Sequence, residues 1–428
     1  MPSIHRTVIL PLILLVDLVS GLPHHTRDWS PKRAGKAIYL LTNDAQNAVI
    51  AVPIAADGTL SGGTVTATSG GGANSIDGAT NTSAAPDALV GQSALTVAGN
   101  NLFAVNAGSN TLTMLSISPS NSTALTPLGR PAALPGDFPN TVAASAKHNL
   151  ACVGMTGARA GIACAKFSGE SGLGTMDGLR SFDLGQTTPP VGPTNTVSQV
   201  FFSADEARLF ATVKGDPAAN KTGFFSVFPV EWQQEKEGCA VGAGAGAASV
   251  SMRETRSSPE GTAVLFGAAL VPRHGDGGAA EEEKHAVFVT DASFGGAVLE
   301  VDSGTNAASL VARQEIAGQK ATCWATVSEA TGSAFVTDVG VNRVVEMSLK
   351  DATIISTLDL SRDGDPGLID LKAAGDFVYA LSPGNGTTPA AVTVFDVSGG
   401  QGTGKMIQHF DLSALGAGKN AQGMAVMV

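Results

Sequence analysis

The sequence predicts an all-β chain: a seven-bladed β-propeller of four-stranded antiparallel blades, with the ring closed by the C-terminal strand pairing in the first blade. Three observations predict it. The first is a strand, turn, strand pattern that recurs along the chain and is clearest from Ser333 to Leu349, SAFVTDVGVNRVVEMSL. There an apolar, β-branched run from Ala334 to Thr337, a polar Gly-containing turn and a second apolar run from Val344 read as an inner hairpin. The second is spacing. Copies anchored on the residue matching Phe335 begin at Tyr39, Phe103, Ala151, Phe210, Phe288, Phe335 and Tyr379, with successive separations of 64, 48, 59, 78, 47 and 44 residues. A four-stranded blade needs roughly 40 to 50 residues, so the longer gaps carry loop insertions. The third is the asymmetry of the ends. A further short strand precedes most anchors (ALTVAGN, TVAASAKHN, VSQVFFSADEA, ATCWATVSEATG, LIDLKAAGD) and reads as the innermost strand, lining the channel. Only RAGK precedes Tyr39, whereas QGMAVMV, Gln422 to Val428, ends the chain without a partner. Joining the two in one sheet removes an exposed edge.

In chain order, residues 1–21 read as a signal peptide: His5 and Arg6 precede the apolar run from Val8 to Val19, and the small residues Ser20 and Gly21 close it. Residues 22–33 read as a short pro-segment ending in the dibasic pair Lys32 and Arg33, and residues 34–428 as one propeller domain. Two stretches interrupt the repeats, WQQEKEGCAVGAGAGAA from Trp232 and VPRHGDGGAAEEEK from Val271, and both read as surface loops. GAGAGA lacks the following Lys-Ser/Thr pair of a phosphate-cradling loop.

With 52 Gly and only 15% charged residues, the composition suits many short strands joined by tight turns. The formal charge is −11, and removal of residues 1–33 leaves 22 basic against 35 acidic residues, or −13. Nucleic acid and anionic membranes need clustered Lys and Arg, so both are excluded as expected partners. The apolar run is too short for a membrane span, and a monomer is expected.

A secretory route gives the cysteines and sequons their meaning. Cys152 and Cys164 lie symmetrically about a turn near Ala158, so a disulfide across that hairpin is expected. Cys239 and Cys323 remain as a second pair by exclusion. No C-x-x-C or clustered His accompanies them, which disfavours zinc. Asn81, Asn121, Asn220 and Asn385 each begin an N-x-S/T sequon in a predicted loop.

The seven-unit architecture, the units FAVNAGSNTL and FVTDVGVNRV, and the segments DAQNAVIAVPI and RSSPEGTAVLF resemble the lactonase-type seven-bladed propellers. More closely they resemble the fungal secreted branch called 3-carboxymuconate cyclase-like, which includes glycoprotein antigens and adhesins. The resemblance spans Lys36 to Val428. It implies metal-independent chemistry on carboxylated muconates or lactones, using His, Arg and carboxylate side chains, and no cofactor.

Propeller geometry places the loops leading into the innermost strands, and the turns after the anchor strands, on one face. There a site for a small anionic molecule wants cations to hold carboxylates and a group to move a proton. Arg256, Glu260, Lys320 and Asp370 are the catalytic candidates; Gln92, Asn106, Asn140, Asn195, Gln199, Asp291, Asp338 and Gln422 are the ligand-binding candidates. Asp87, Asn420, Asp365, Asn43, Asp44 and Arg159 share that face. Histidine argues against catalysis: His148, His274 and His285 are expected at or near the opposite face and His409 on an outer strand, away from the mouth where the commonest proton shuttle would be needed. Two readings therefore stay open, a cyclase or lactonase and a non-catalytic extracellular binding protein that engages a cell-surface ligand. Asp291, Asp338, Asp363, Asp365 and Asp370 also supply oxygen donors of the kind calcium takes, although Asp favours turns through its own backbone bonds.

Overall fold

Alternating apolar runs of four to eight residues, cut by Gly, Asn and Asp turns, fold as strands throughout; helix is confined to two 3-10 turns among the described residues. The computed structural model describes Met1 and residues 33–232, 248–272 and 284–428. The expected leader, most of the pro-segment, Cys239, His274 and most of both interrupting loops lie outside these residues. Seven antiparallel sheets of four or five strands form the blades. Their innermost strands are Gln422–Met427, Leu95–Ala98, Pro139–Ser145, Val197–Phe202, Leu265–Leu270, Thr322–Ser328 and Ile369–Ala374 for blades 1 to 7. Each packs beside the next in that order, and Ile369–Ala374 packs back against Gln422–Met427, which closes the ring.

Closure is the expected one. Gln422–Met427 pairs antiparallel with Ala37–Leu41, Ala37 opposite Met427 and Tyr39 opposite Ala425. The stretch Ser333 to Leu349 also lies where expected: its strands, Ser333–Asp338 and Val341–Ser348, are the second and third of blade 6, with Thr322–Ser328 inside them. The aromatic anchors sit on second strands and are fully buried, Tyr39, Phe103, Phe210, Phe288, Phe335 and Tyr379 alike. Their rings fill the gaps between radiating sheets, and the two tyrosines also tie neighbours through their hydroxyls. Tyr39 Oη donates to the Ser122 carbonyl of blade 2 (2.7 Å), and Tyr379 Oη to the Gly58 carbonyl of blade 1 (3.0 Å).

Cys152 and Cys164 face each other in register on the second and third strands of blade 3 and form a disulfide. Cys323 is a buried free thiol on the innermost strand of blade 6. The outermost strands alternate exposed and half-buried residues, as in Ala308–Glu315 and Lys405–Asp411, so the outer edges carry charged and polar side chains rather than flat apolar ribbons. No helix among the described residues is long and apolar enough to cross a membrane.

Candidate functional site at the propeller axis

Two long lead-in loops build a cap on the predicted face. The loop into blade 2 contributes Ile76–Asp77 and Thr82–Ser83, and the loop into blade 4 contributes Val191–Gly192; the three pair as a small sheet. Between this sheet and Asn195 and Asp216 lies a cleft of ≈ 440 Å³. Side-chain amides fasten the cap to blade 1. Asn74 Nδ2 donates to Asn420 Oδ1 (2.9 Å), Asn420 Nδ2 to Asp44 Oδ1 (2.8 Å), and Asn43 Nδ2 to the Ala73 carbonyl (3.0 Å). Gln422 Nε2 donates to the Pro86 carbonyl (2.7 Å).

Beyond Pro86 the blade 2 loop descends into the channel. Ala88, Leu89, Val90, Gln92 and Ala94 are all buried to within 1% of complete. Their polar groups bond around the ring, as buried groups must. Gln92 crosses to blade 6, its Nε2 donating to the Ala325 carbonyl (2.8 Å) and its Oε1 accepting from the Ala325 N–H (3.0 Å). The Gln92 N–H donates to the Ser198 carbonyl of blade 4 (2.9 Å). Asn140 Nδ2 reaches the Leu89 and Val197 carbonyls, and Gln199 Oε1 accepts from the Ala268 N–H (2.6 Å). Asp370, held at φ +37°, accepts from the Met424 N–H (2.9 Å), the Leu371 N–H (2.9 Å) and the Ser93 N–H (3.3 Å), joining blades 7, 1 and 2. Burial pushes its carboxyl above the usual range, against the pull of Lys372 and these N–H groups.

The structure thus brings Gln92, Asn140, Gln199, Asp370 and Gln422 together at the axis or its cap, as buried bonds between blades, and sets Asn195 on the cleft wall. It does not bring the four catalytic candidates together. Arg256 is displaced from the mouth: residues 255–257, taken as part of a lead-in loop, instead pair as an outer strand with the third strand of blade 4. Its guanidinium bonds Glu254 (2.5 Å) and stacks on Phe224 (3.9 Å to the ring centre). Glu260 and Lys320 are exposed on separate loops. Arg159 pairs with Asp137 (2.8 Å).

Asp338, Asp291 and Asn106 share one structural position at the end of a second strand. Asp338 accepts from the N–H groups of Lys320 (2.8 Å), Ala321 (3.0 Å) and Gly340 (2.9 Å). Asp291 accepts from those of Ala263 (2.7 Å), Val264 (3.0 Å) and Ser293 (3.0 Å). Asn106 accepts from Asn47 Nδ2 (3.0 Å) and Thr68 Oγ1 (2.6 Å). These side chains pin loops to strands. Among the described residues no group of three or more His, Cys, Asp or Glu is arranged to hold a metal ion. His409 lies on its outer strand, yet its Nε2 reaches Asp365 Oδ2 of the loop into blade 7 (3.0 Å).

The residue that the sequence did not single out is Lys214. It follows Val213 at the end of an apolar strand, is 2% exposed, lies over the Phe266 ring (4.1 Å) and donates to the Val90 carbonyl (2.5 Å). Burial brings its ammonium down to about 8, with Asp87 pulling the other way. Burial pushes the Asp87 carboxyl up to about 6, offset by Lys214. Asp87 keeps partial exposure as a residue, while its Oδ1 is buried without a hydrogen bond. The raised carboxyl favours the folded state below its unfolded value near 3.8, and that advantage is lost as pH rises through about 6. The expected result is that Asp87→Asn gains melting temperature relative to the parent between pH 4 and 6. A difference that stays flat across thermal melts in that window contradicts the assignment.

No protein-family profile matches the chain, and no curated protein sequence matches it. Among solved structures, the periplasmic gluconolactonase PpgL of Pseudomonas aeruginosa aligns with a TM-score of 0.59 at 15% identity, over 91% of this chain and 99% of that one. The apo AztD of Citrobacter koseri aligns at 0.43 with 13% identity, over 89% and 83%. The Dos1 propeller aligns at 0.44 with 13% identity, over 72% and 67%. The first establishes that this chain shares the propeller fold of that gluconolactonase.

Proposed function

We propose that the protein is a secreted, glycosylated, monomeric propeller of the fungal carboxymuconate-cyclase-like branch that works as an extracellular binding protein rather than as a cyclase. In this reading residues 1–21 and 22–33 are removed in turn, and Asn81, Asn121, Asn220 and Asn385, all exposed, carry glycan. One observation carries the binding reading: Arg256, Glu260, Lys320 and Asp370 sit on an outer strand, two separate exposed loops and a buried bridge between blades. Lactonising chemistry needs a cation and a proton-transfer group on the same substrate, and these four residues do not offer that together.

A lactonase reading has a different observation in its favour, the Asp87 and Lys214 pair. Opposed shifts toward neutrality are what an acid and base at one site require. An ultraviolet assay of purified protein decides between them. Loss of muconate absorbance and opening of simple lactones are expected to stay at the uncatalysed rate, with Arg256→Ala and Glu260→Ala indistinguishable from the parent. Turnover that disappears in Lys214→Met would replace the binding reading by the lactonase one.

A further inference from the structure

The cleft of ≈ 440 Å³ beside the cap runs between two N-x-S/T sequons. One bank is the cap hairpin, with Ala79 in the wall and Asn81 two residues further on. The other is the turn after the second strand of blade 4, with Asp216 and Ala218 in the wall and Asn220 two residues after Ala218. Among the described residues no hydrogen bond joins residues 76–83 to residues 215–222. The cap hairpin is therefore fastened toward blade 1 by its asparagines and parted from the blade 4 turn by open space.

The wall suits a neutral, hydroxylated group. Val191, 39% exposed, and Pro193 supply apolar surface to the cleft. Acceptors stand around it: Asn195 Oδ1 and Asp216 Oδ2 have no partner among the described residues, because Asn195 bonds the Leu184 carbonyl through Nδ2 and Asp216 takes the Ala219 N–H on Oδ1. Gln186 spends both ends of its amide on the backbone of Val191 and Asn195 at 2.9 to 3.0 Å, which fixes that wall in place. Free acceptors beside apolar surface match a sugar ring, whose hydroxyl and amide groups donate and whose C–H face is apolar. The Asp216 carboxylate disfavours an anion in the same space.

The tether selects which sugar. Asn220 caps the short 3-10 turn Pro217–Ala219 at φ 54°, its N–H donating to the Pro217 carbonyl, and Asp216 bridges Lys221 across the same turn, so the point of attachment is rigid. A group linked there has an effective concentration of about millimolar, so a sugar whose own dissociation constant is about millimolar is held in place. Most of the wall belongs to blade 4, as Asn220 does. We propose that the first N-acetylglucosamine units of a glycan on Asn220 lie in this cleft and clip the cap hairpin to blade 4. The inference rests on the glycosylated reading of the chain and gives that glycan a structural task, holding the cover of the axis in place.

The test compares the full chain secreted by a eukaryotic host with its Thr222→Ala variant, Asn220 occupancy being read by peptide mass spectrometry. Thr222 is exposed, so the change removes the sequon and little else. Amide hydrogen exchange across residues 76–83 and 191–195 is expected to run about fivefold or more faster in Thr222→Ala, with the strands of blade 6 unchanged. Free di-N-acetylchitobiose, added well above millimolar concentration, is expected to restore slow exchange in Thr222→Ala, whereas maltose does not. Asn220→Gln should behave as Thr222→Ala does, and Asn81→Gln as the parent does. An occupied Asn220 whose loss leaves exchange unchanged overturns the proposal and leaves the glycosylated reading standing; a bare Asn220 in the secreted parent removes both at this site. Fast exchange that free chitobiose fails to slow, or that follows Asn81→Gln instead, also overturns it.

Discussion

Deleting Gln422 to Val428 is expected to abolish cooperative folding. The strand is the innermost of blade 1 and the only innermost strand that comes from the far end of the chain. Without it Ala37–Leu41, whose five residues are all buried, loses its inner partner. The ring also opens between Ile369–Ala374 and Leu95–Ala98, which both pack against the deleted segment. Asp370 then keeps a buried carboxylate without the Met424 N–H that it bonds at 2.9 Å. Lost ladder bonds at about 1 kcal/mol each, and the buried Met424 side chain at about 2 kcal/mol, sum to the order of a whole domain's stability of about 5–15 kcal/mol. The yield of folded protein and a thermal melt report the outcome. A truncated chain that melts within a few degrees of the parent would show that the ring does not depend on its closing strand.

Closure was legible in the sequence because it follows from counting: one unit lacked an innermost strand and one strand lacked a unit. The anchors and the Cys152–Cys164 bridge were legible for a similar reason, since each is a local pattern repeated against a strand period of two. What was not legible is how the lead-in loops run. The length of the loop into blade 2 was visible, but nothing in TSAAPDALVGQS announces a peptide buried at the axis, because its burial depends on partners in blades 3, 4 and 6. Lys214 was missed because FATVKGD reads as a strand ending in a solvated lysine. A lysine closing an apolar strand on the face where the site was predicted was the available signal. Arg256 was misplaced because residues 255–257 form a three-residue outer strand with no period of their own, so the stretch read as loop.

Asp338→Ala and Asp291→Ala are each expected to cost about 3–5 kcal/mol, while the corresponding Asn variants cost less than half as much. Both residues carried two sequence readings, a calcium ligand and a turn residue. The bonds decide which one the substitution removes. Oδ1 and Oδ2 of Asp338 accept from three backbone N–H groups at 2.8 to 3.0 Å, and those of Asp291 from three backbone N–H groups and the Ser293 hydroxyl at 2.6 to 3.0 Å. A cation would have to compete for oxygens that already accept N–H bonds, and those protons would repel it. Removing the carboxylate instead strands donors at the start of the innermost strands of blades 5 and 6, where Val264 and Ala321 lead in. Asparagine keeps one acceptor oxygen and so retains part of the bonding. Denaturant midpoints should fall in that order with an unchanged slope. Excess chelator should leave the parent's midpoint where it is. A chelator-induced loss matching that of the Ala variants would assign these carboxylates to a cation after all.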